Sequence, residues 1–248
     1  MRFLCLHGAI NNVEIMMVQL APLQKILKCD NTASFYYING LVPVTPPSGF
    51  DKYFGFGPHY RWVDDGGVAE ESLISRVRDI PLGDNAEDVI RGLIAGRENK
   101  VHNYEEIMDY LQNELEKDPA IEGLIGYSEG ARIAASFILE EQRREIEDGG
   151  SRRIKCAIFA NGWPPITRER GVVLSDEVED MLDIPTLHVI GSDDPFKHGS
   201  YALYNICDPD HAEMFDTGKG HIIPRSGPTI AELGEAVRDL IGKAKCSE

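Results

Sequence analysis

Short, continuously apolar runs recur along most of the chain and are separated by longer amphipathic segments. In a parallel sheet both faces are covered by helices, so buried strands are apolar throughout instead of alternating with polar residues. The runs therefore predict buried parallel strands, with the last and most polar of them the weakest candidate. The six candidate strands are residues 2–6, 33–38, 121–127, 154–160, 186–191 and 211–218.

Between these runs, apolar residues recur every three or four positions, which is the period of a helix with one buried face. The clearest helical segments are 13–28, 103–117, the stretch that begins at Glu129, and 231–244. Regular alternation of strands and helices predicts an α/β fold with a doubly wound, mostly parallel sheet. We expect one domain that spans residues 1–248.

Residues 41–100 interrupt this alternation. The segment is rich in proline and glycine at its start, and it shows only weak helical periodicity, around 70–78 and 86–95. Long segments without regular strands in a compact domain are often functional. We therefore expect a lid-like insertion at about 41–100.

Composition narrows the functional classes. The net charge of −16 disfavours nucleic acid and anionic membrane surfaces, which both favour a basic protein face. No apolar run approaches the roughly 20 residues that span a bilayer. The five cysteines are scattered and odd in number, and the seven histidines form no metal-binding motif. We expect a cytoplasmic protein with no metal, no cofactor and no membrane or nucleic-acid partner.

The stretch Gly-Tyr-Ser-Glu-Gly at 126–130 lies between a predicted strand and a predicted helix. In a nucleophile elbow, a serine occupies such a tight strand-to-helix turn and its hydroxyl is exposed. A turn that only needs small residues would have the same spacing. The motif therefore needs partners before Ser128 can be considered a nucleophile.

Suitable partners follow two later strands. Asp193 and Asp194 come after the strand at 186–191, and His221 comes after the candidate strand at 211–218. The ligands of such sheets bind at the carboxyl ends of the strands, and the order Ser, Asp, His is that of α/β-hydrolases. A histidine can take the serine proton, and a carboxylate can orient that histidine. Because the two aspartates are adjacent, Asp193 stays an alternative to Asp194.

Two backbone N–H groups are candidates for the oxyanion hole. One belongs to Glu129, the residue after the serine, and the other to Ala9, which follows the first strand. His7, at the end of the same strand, is better explained by a structural role than by a catalytic one.

Four motifs together resemble the FSH-type serine hydrolases of the α/β-hydrolase superfamily. They are LHG at 6–8, GYSEGA at 126–131, GSDDPF at 191–196 and GKGHIIP at 218–224. These motifs span nearly the whole chain in the family's order. The resemblance implies an α/β-hydrolase fold that uses a catalytic triad and no cofactor.

Carried over to this sequence, the family triad falls on Ser128, Asp194 and His221. The family more often has glutamine after the nucleophile, whereas this chain has Glu129. An acid at the start of a helix is compatible with the helix dipole.

The motif GYSEGA and the segment FGPHYRW resemble family members from fungal polyketide pathways. This resemblance implies a thioesterase that releases a polyketide or acyl chain from a carrier-protein thioester. Two alternatives stay open: a carboxylesterase for small oxygen esters, and a pseudo-hydrolase that binds a ligand without turnover. The acidic charge of the chain disfavours acidic carriers, except at a local basic patch.

Aromatic residues crowd the segment 50–62, which holds six of the twenty in the chain. An aromatic pocket suits an acyl chain. We therefore predict that Phe54, Phe56, Tyr60 and Trp62 bind the substrate. The alternative is that these rings anchor a long loop to the core.

Overall fold

A parallel sheet lies at the centre of the fold. The computed structural model describes residues 1–46, 48, 55, 57–66, 80–96, 101–179 and 181–246. The described strands are β1 (Arg2–Leu6), β2 (Ser34–Ile38), β3 (Val42–Val44), β4 (His59–Arg61), β5 (Ile121–Tyr127), β6 (Cys156–Ala160), β7 (Ile166–Thr167), β8 (Gly171–Val172), β9 (Thr186–Ile190) and β10 (Ala212–Asp216). Six of them form the central sheet, in the spatial order β10-β9-β6-β5-β1-β2. Two short antiparallel pairs, β3 with β4 and β7 with β8, lie outside it.

Helices cover both faces of this sheet. The described helices are α1 (Val13–Lys28), α2 (Ala86–Ile94), α3 (Tyr104–Lys117), α4 (Glu129–Asp148), α5 (Lys197–Asn205) and α6 (Pro228–Cys246). Helices α1 and α6 bury their apolar sides against one face, and the apolar sides of α2 to α5 belong to the core on the other. The parallel sheet is doubly wound, which confirms the predicted α/β class of fold.

The predicted insertion at 41–100 is more regular than its composition suggests. It contains the β3–β4 pair, in which Val42 lies opposite Arg61. It also contains α2, whose Val89, Ile90 and Leu93 are buried in the main core. The weak helical pattern at 86–95 therefore corresponds to a helix of the core, α2. The pattern at 70–78 lies outside the described residues. Helix α5 was not predicted, because it is only nine residues long and most of the residues it buries are small: Gly199, Ser200, Ala202 and Leu203.

The register of the sheet aligns the carboxyl ends of its strands. Leu6 at the end of β1 pairs with Gly126, and Tyr127 at the end of β5 pairs with Ala160 at the end of β6. Ile190 ends β9 beside the last residue of β10. The loops that follow these strands therefore meet at one edge. Within the described ranges, no helix combines the length and apolar character needed to cross a bilayer.

Candidate active site

Ser128 occupies a strained turn between β5 and α4. Its φ of 54° and ψ of −116° are unusual for a residue with a side chain, and its N–H donates to Ala160 O at 2.9 Å. The flanking glycines make the turn possible. A Cβ on Gly126 would lie 2.3 Å from Ala131 Cα, and one on Gly130 would lie 2.2 Å from Leu6 O. The Gly-x-Ser-x-Gly spacing thus follows from close backbone packing around the half-buried serine.

Asp194 and His221 are joined by a short hydrogen bond. His221 Nδ1 lies 2.6 Å from Asp194 Oδ2, and the other carboxylate oxygen accepts the N–H of Phe196 at 2.8 Å. The Asp194 side chain is fully buried, whereas 21% of the His221 side chain is exposed. Asp193 is exposed and its backbone N–H donates to Lys219 O. The structure therefore brings Asp194, of the two aspartates, to the histidine.

The loop that carries His221 is held against the elbow. Tyr127, the neighbour of the serine, donates its hydroxyl to His221 O at 2.8 Å. Asn161 donates Nδ2 to Ile222 O at 3.1 Å and accepts Gly191 N–H at 3.1 Å. Asn161 thus connects the loops after β9 and β10. Sequence reasoning missed it, although an Asn-Gly pair directly after a buried strand was a usable signal.

The imidazole of His221 packs between two rings. Its centroid lies 5.3 Å from that of Tyr127 and 5.7 Å from that of Phe196. The described hydrogen bonds include none between the Ser128 hydroxyl and His221. Such catalytic hydrogen bonds are often long without substrate and tighten when it binds.

The loop after β1 lies directly beside the serine. A Cβ on Gly8 would lie 3.2 Å from Ser128 Cβ. Among the described residues, neither Ala9 nor Glu129 has a hydrogen-bond acceptor for its backbone N–H. Both groups are therefore available to an oxygen atom bound next to Ser128.

His7 fixes the loop after β1 through hydrogen bonds to three other residues. It is fully buried, its Nε2 accepts Gly40 N–H at 2.9 Å, and its Nδ1 therefore donates to Gly8 O at 2.7 Å. Its own carbonyl accepts the indole N–H of Trp62 at 2.8 Å. Burial lowers the pKa of His7 to about 4, opposed by the bond to Gly8. His7 is thus a neutral, structural histidine.

We expect His7 to make the free energy of unfolding depend on pH. In the unfolded chain its pKa returns to about 6.5, so unfolding takes up a proton between about pH 4 and 6.5. The contribution is complete above that window and is lost as the pH falls through it. Urea unfolding at pH 7 and pH 5 should show that His7→Asn removes about 2 kcal/mol of this pH dependence. The exposed His211→Asn is the control, and an unchanged pH dependence in His7→Asn would contradict the prediction.

Glu129, the acid that replaces the family's usual glutamine, has a matching cation. Its Oε1 accepts Arg61 Nη2 at 3.0 Å, and its Oε2 accepts Trp62 N–H at 2.8 Å. Arg61 also binds both carboxylate oxygens of Asp65, at 3.2 and 3.1 Å. The buried Glu129 carboxylate therefore ties β4 of the insertion to the residue after the nucleophile.

The predicted substrate-binding aromatics have different positions. Trp62 is fully buried in the core cluster. Together with its bond to His7 O, this fits the alternative in which the ring anchors the insertion. Tyr60 is half-buried, and its backbone pairs with Asn11 in the loop after β1. Its contact with substrate stays a prediction, and Phe54 and Phe56 lie outside the described residues.

Groups of three or more metal-ligating side chains do not occur in the part of the chain that the structure describes. A strained serine, a carboxylate-bound histidine and two open N–H groups can support nucleophilic attack on a carbonyl group.

Comparisons with known proteins agree with this geometry. A model of the family described as "Serine hydrolase (FSH1)" matches residues 1–233. Hydrolase phiM of Talaromyces stipitatus is 28% identical over 94% of this chain and 84% of its own length. Esterase FUS5 of Gibberella moniliformis is 25% identical over 95% of this chain and 85% of its own length. Thioesterase FSL2 of Gibberella zeae is 26% identical over 94% of this chain and 90% of its own length.

Solved structures show the same fold. Esterase PE8 superimposes with a TM-score of 0.57 at 16% identity and covers 96% of this chain and 92% of its own. SOBER1 of Arabidopsis thaliana gives a TM-score of 0.51 at 15% identity, with 98% of each chain covered. The family model covers most of this chain, and the fold and the residues at the sheet edge agree with it. The chain therefore belongs to the FSH1 serine hydrolase family and is a hydrolase with an α/β-hydrolase fold.

Proposed function

We propose that the protein hydrolyses thioesters of acyl or polyketide chains through an acyl-enzyme on Ser128, with His221 as base and Asp194 as its orienting acid. The observation that carries this proposal is the 2.6 Å hydrogen bond between Asp194 and His221, in a loop tied to the serine turn through Tyr127. A carboxylate at Nδ1 fixes the tautomer in which Nε2 is free to accept a proton.

The first half of the reaction forms the acyl-enzyme. Ser128 Oγ attacks the carbonyl carbon while its proton passes to His221, and the buried Asp194 carboxylate stabilises the resulting imidazolium. The carbonyl oxygen becomes an oxyanion that the N–H groups of Ala9 and Glu129 can bind. Collapse of this intermediate breaks the carbon–sulfur bond. The thiol leaves with the proton that His221 returns.

The second half releases the acid. Water attacks the acyl-enzyme carbonyl and gives a proton to His221, which then protonates Ser128 Oγ as the ester bond breaks. The products are a carboxylic acid and the free enzyme. No step requires a metal or a cofactor, because His221 carries the proton transfers and the Asp194 carboxylate orients and stabilises it.

A carboxylesterase acting on oxygen esters is the second candidate. The same triad would serve it, and the relatives include proteins named as esterases as well as one named as a thioesterase.

The resemblance to polyketide-pathway enzymes further suggests that a carrier protein delivers the substrate, and this is part of the proposal. A docking patch for an acidic carrier would need free cations, yet several prominent ones are ion-paired. These paired cations are Arg91, Arg143, Arg144, Arg152 and Lys155.

Turnover on matched substrates tests the proposal. We would measure kcat/KM for acyl thioesters and for oxygen esters with the same acyl chains, using Ser128→Ala as the blank. Faster turnover of the thioesters that depends on Ser128 would support a thioesterase. Faster turnover of the oxygen esters would favour the carboxylesterase, and no Ser128-dependent turnover of either would contradict both.

The cytoplasmic location stays a prediction. The five cysteines are free thiols, which fits a reducing compartment.

A further inference from the structure

Arg132 lies one helical turn after the candidate nucleophile. Its backbone N–H donates to Ser128 O at 3.4 Å, so the two residues share one side of α4. Its side chain extends towards the loop after β6, where Nε donates to Pro164 O at 3.1 Å and Cζ lies 5.6 Å from the centre of the Trp163 ring. The guanidinium is thus held by one hydrogen bond and one cation–π contact.

A row of rings connects this guanidinium with the candidate histidine. Trp163 lies 5.9 Å from Phe196, and Phe196 lies 5.7 Å from His221, measured between ring centroids. All three rings are half-buried, so each keeps an accessible surface. A substrate whose carbonyl group is at Ser128 can therefore extend along an aromatic surface that ends at Arg132.

The two terminal nitrogens of Arg132 have no hydrogen-bond acceptor among the described residues, and no carboxylate there forms an ion pair with it. The nearby carboxylates are already engaged, because Glu129 and Asp65 both accept hydrogen bonds from Arg61. Burial lowers the pKa of Arg132 to about 10, with attraction from Glu129 opposing the shift and repulsion from Arg61 adding to it. Arg132 is still charged at neutral pH.

Arg132 is half-buried, and a cation that is partly removed from water gains most when an anion binds its unused donors. The planar fork of a guanidinium matches a carboxylate in a bidentate arrangement better than any other side chain does. In a chain with 41 acidic and 25 basic residues, such a positive site would stand out against an otherwise repulsive surface for anions.

We propose that Arg132 is a specificity-determining residue that binds a carboxylate on the substrate, at the far end of the part that lies along Phe196 and Trp163. The preferred substrates are then esters or thioesters that carry a second, acidic group. This inference rests on the proposed hydrolase chemistry at Ser128 and names the substrate class for that site.

The test uses p-nitrophenyl esters of straight-chain dicarboxylic acids of graded length. Each has either a free terminal carboxylate or a terminal carboxamide, which has nearly the same shape but no charge. We would measure kcat and KM for each pair with the wild type, Arg132→Gln and Arg132→Lys. Arg168→Gln is the matched control, because the Arg168 side chain is 70% exposed and pairs with Glu105.

We expect the wild type to prefer the carboxylate by about 10- to 100-fold in kcat/KM at the best chain length, mainly through KM. Arg132→Gln should abolish or reverse this preference and leave the carboxamide within about threefold, and Arg132→Lys should retain part of it. The control should behave as the wild type does.

Three results would overturn the inference. They are a wild type without the preference at any length, a preference that survives in Arg132→Gln, and an equal loss on both substrates in Arg132→Gln and Arg132→Lys. The wild-type measurement decides the first even if a variant fails to fold. Labelling of Ser128 by a fluorophosphonate keeps the two proposals apart. Labelling without a charge preference contradicts only the role of Arg132, whereas absence of labelling contradicts the proposed chemistry at Ser128.

Discussion

Ser128→Ala is expected to abolish labelling by a fluorophosphonate probe and to lower kcat by about 10³-fold or more. Ser128 is the serine at the strand-to-helix turn, with a φ of 54° and with the loop of Gly8 against its Cβ. Without its hydroxyl no acyl-enzyme can form, and only binding and oxyanion stabilisation would remain. Labelling with the probe, detected by mass spectrometry of the intact protein, and steady-state kinetics measure the two effects.

The alanine variant tests the hydroxyl alone, because the substitution leaves the conformational strain of the backbone at position 128 unchanged. Alanine and serine pay a similar penalty for a positive φ, so the turn keeps its strain and the fold should be retained. Ser151→Ala is the matched control, since Ser151 is exposed near the amino end of β6, on the edge of the sheet opposite the site. Strong labelling that persists in Ser128→Ala would show that another residue is the nucleophile.

Asp194→Asn should lower kcat on the order of 10³- to 10⁴-fold, the second-largest effect expected. Asp194 Oδ1 accepts the N–H of Phe196, and an asparagine oxygen can keep that bond. The asparagine NH₂ would then face His221 Nδ1 as a donor. This arrangement stabilises the tautomer whose proton is on Nε2, so His221 could no longer accept a proton from Ser128.

Asp193→Asn is the control for this prediction, because it removes the same charge from the adjacent residue. Asp193 is exposed and its backbone N–H makes the hydrogen bond to Lys219 O, so a change of less than about threefold is expected. Circular dichroism should show that both variants are folded before their kinetics are compared. The reverse ranking of the two variants would reassign the orienting acid and leave the serine chemistry intact.

Local pattern was enough to predict the class of fold. The apolar runs of β1, β5, β6 and β9 are continuous because helices cover both faces of the sheet, and that constraint is visible in sequence. Helices α1, α3, α4 and α6 were predicted from their buried stripes. Helix α5 and the β3–β4 pair were not, because short elements owe their stability to tertiary contacts more than to their own pattern.

The same local reasoning led to the residues at the sheet edge. Parallel strands end at one edge whatever their order in the sheet, so residues directly after the strands can be grouped without knowing the structure. That rule grouped Ser128 and His221 with the adjacent pair Asp193 and Asp194, and the family resemblance placed the acid at Asp194. Their catalytic roles stay predictions for the two variants above to test.

By itself, the sequence determined the parallel α/β architecture and the set of polar residues at one edge, since both follow from periodicity and from the ends of strands. Only the tertiary structure decided which groups meet across long separations. It placed Arg61 against Glu129 and buried the Trp62 indole in the core. It also left Arg132 beside Trp163, with no carboxylate partner among the described residues. Such pairings depend on how loops pack over the sheet, and loop packing has no period that a sequence pattern can reveal.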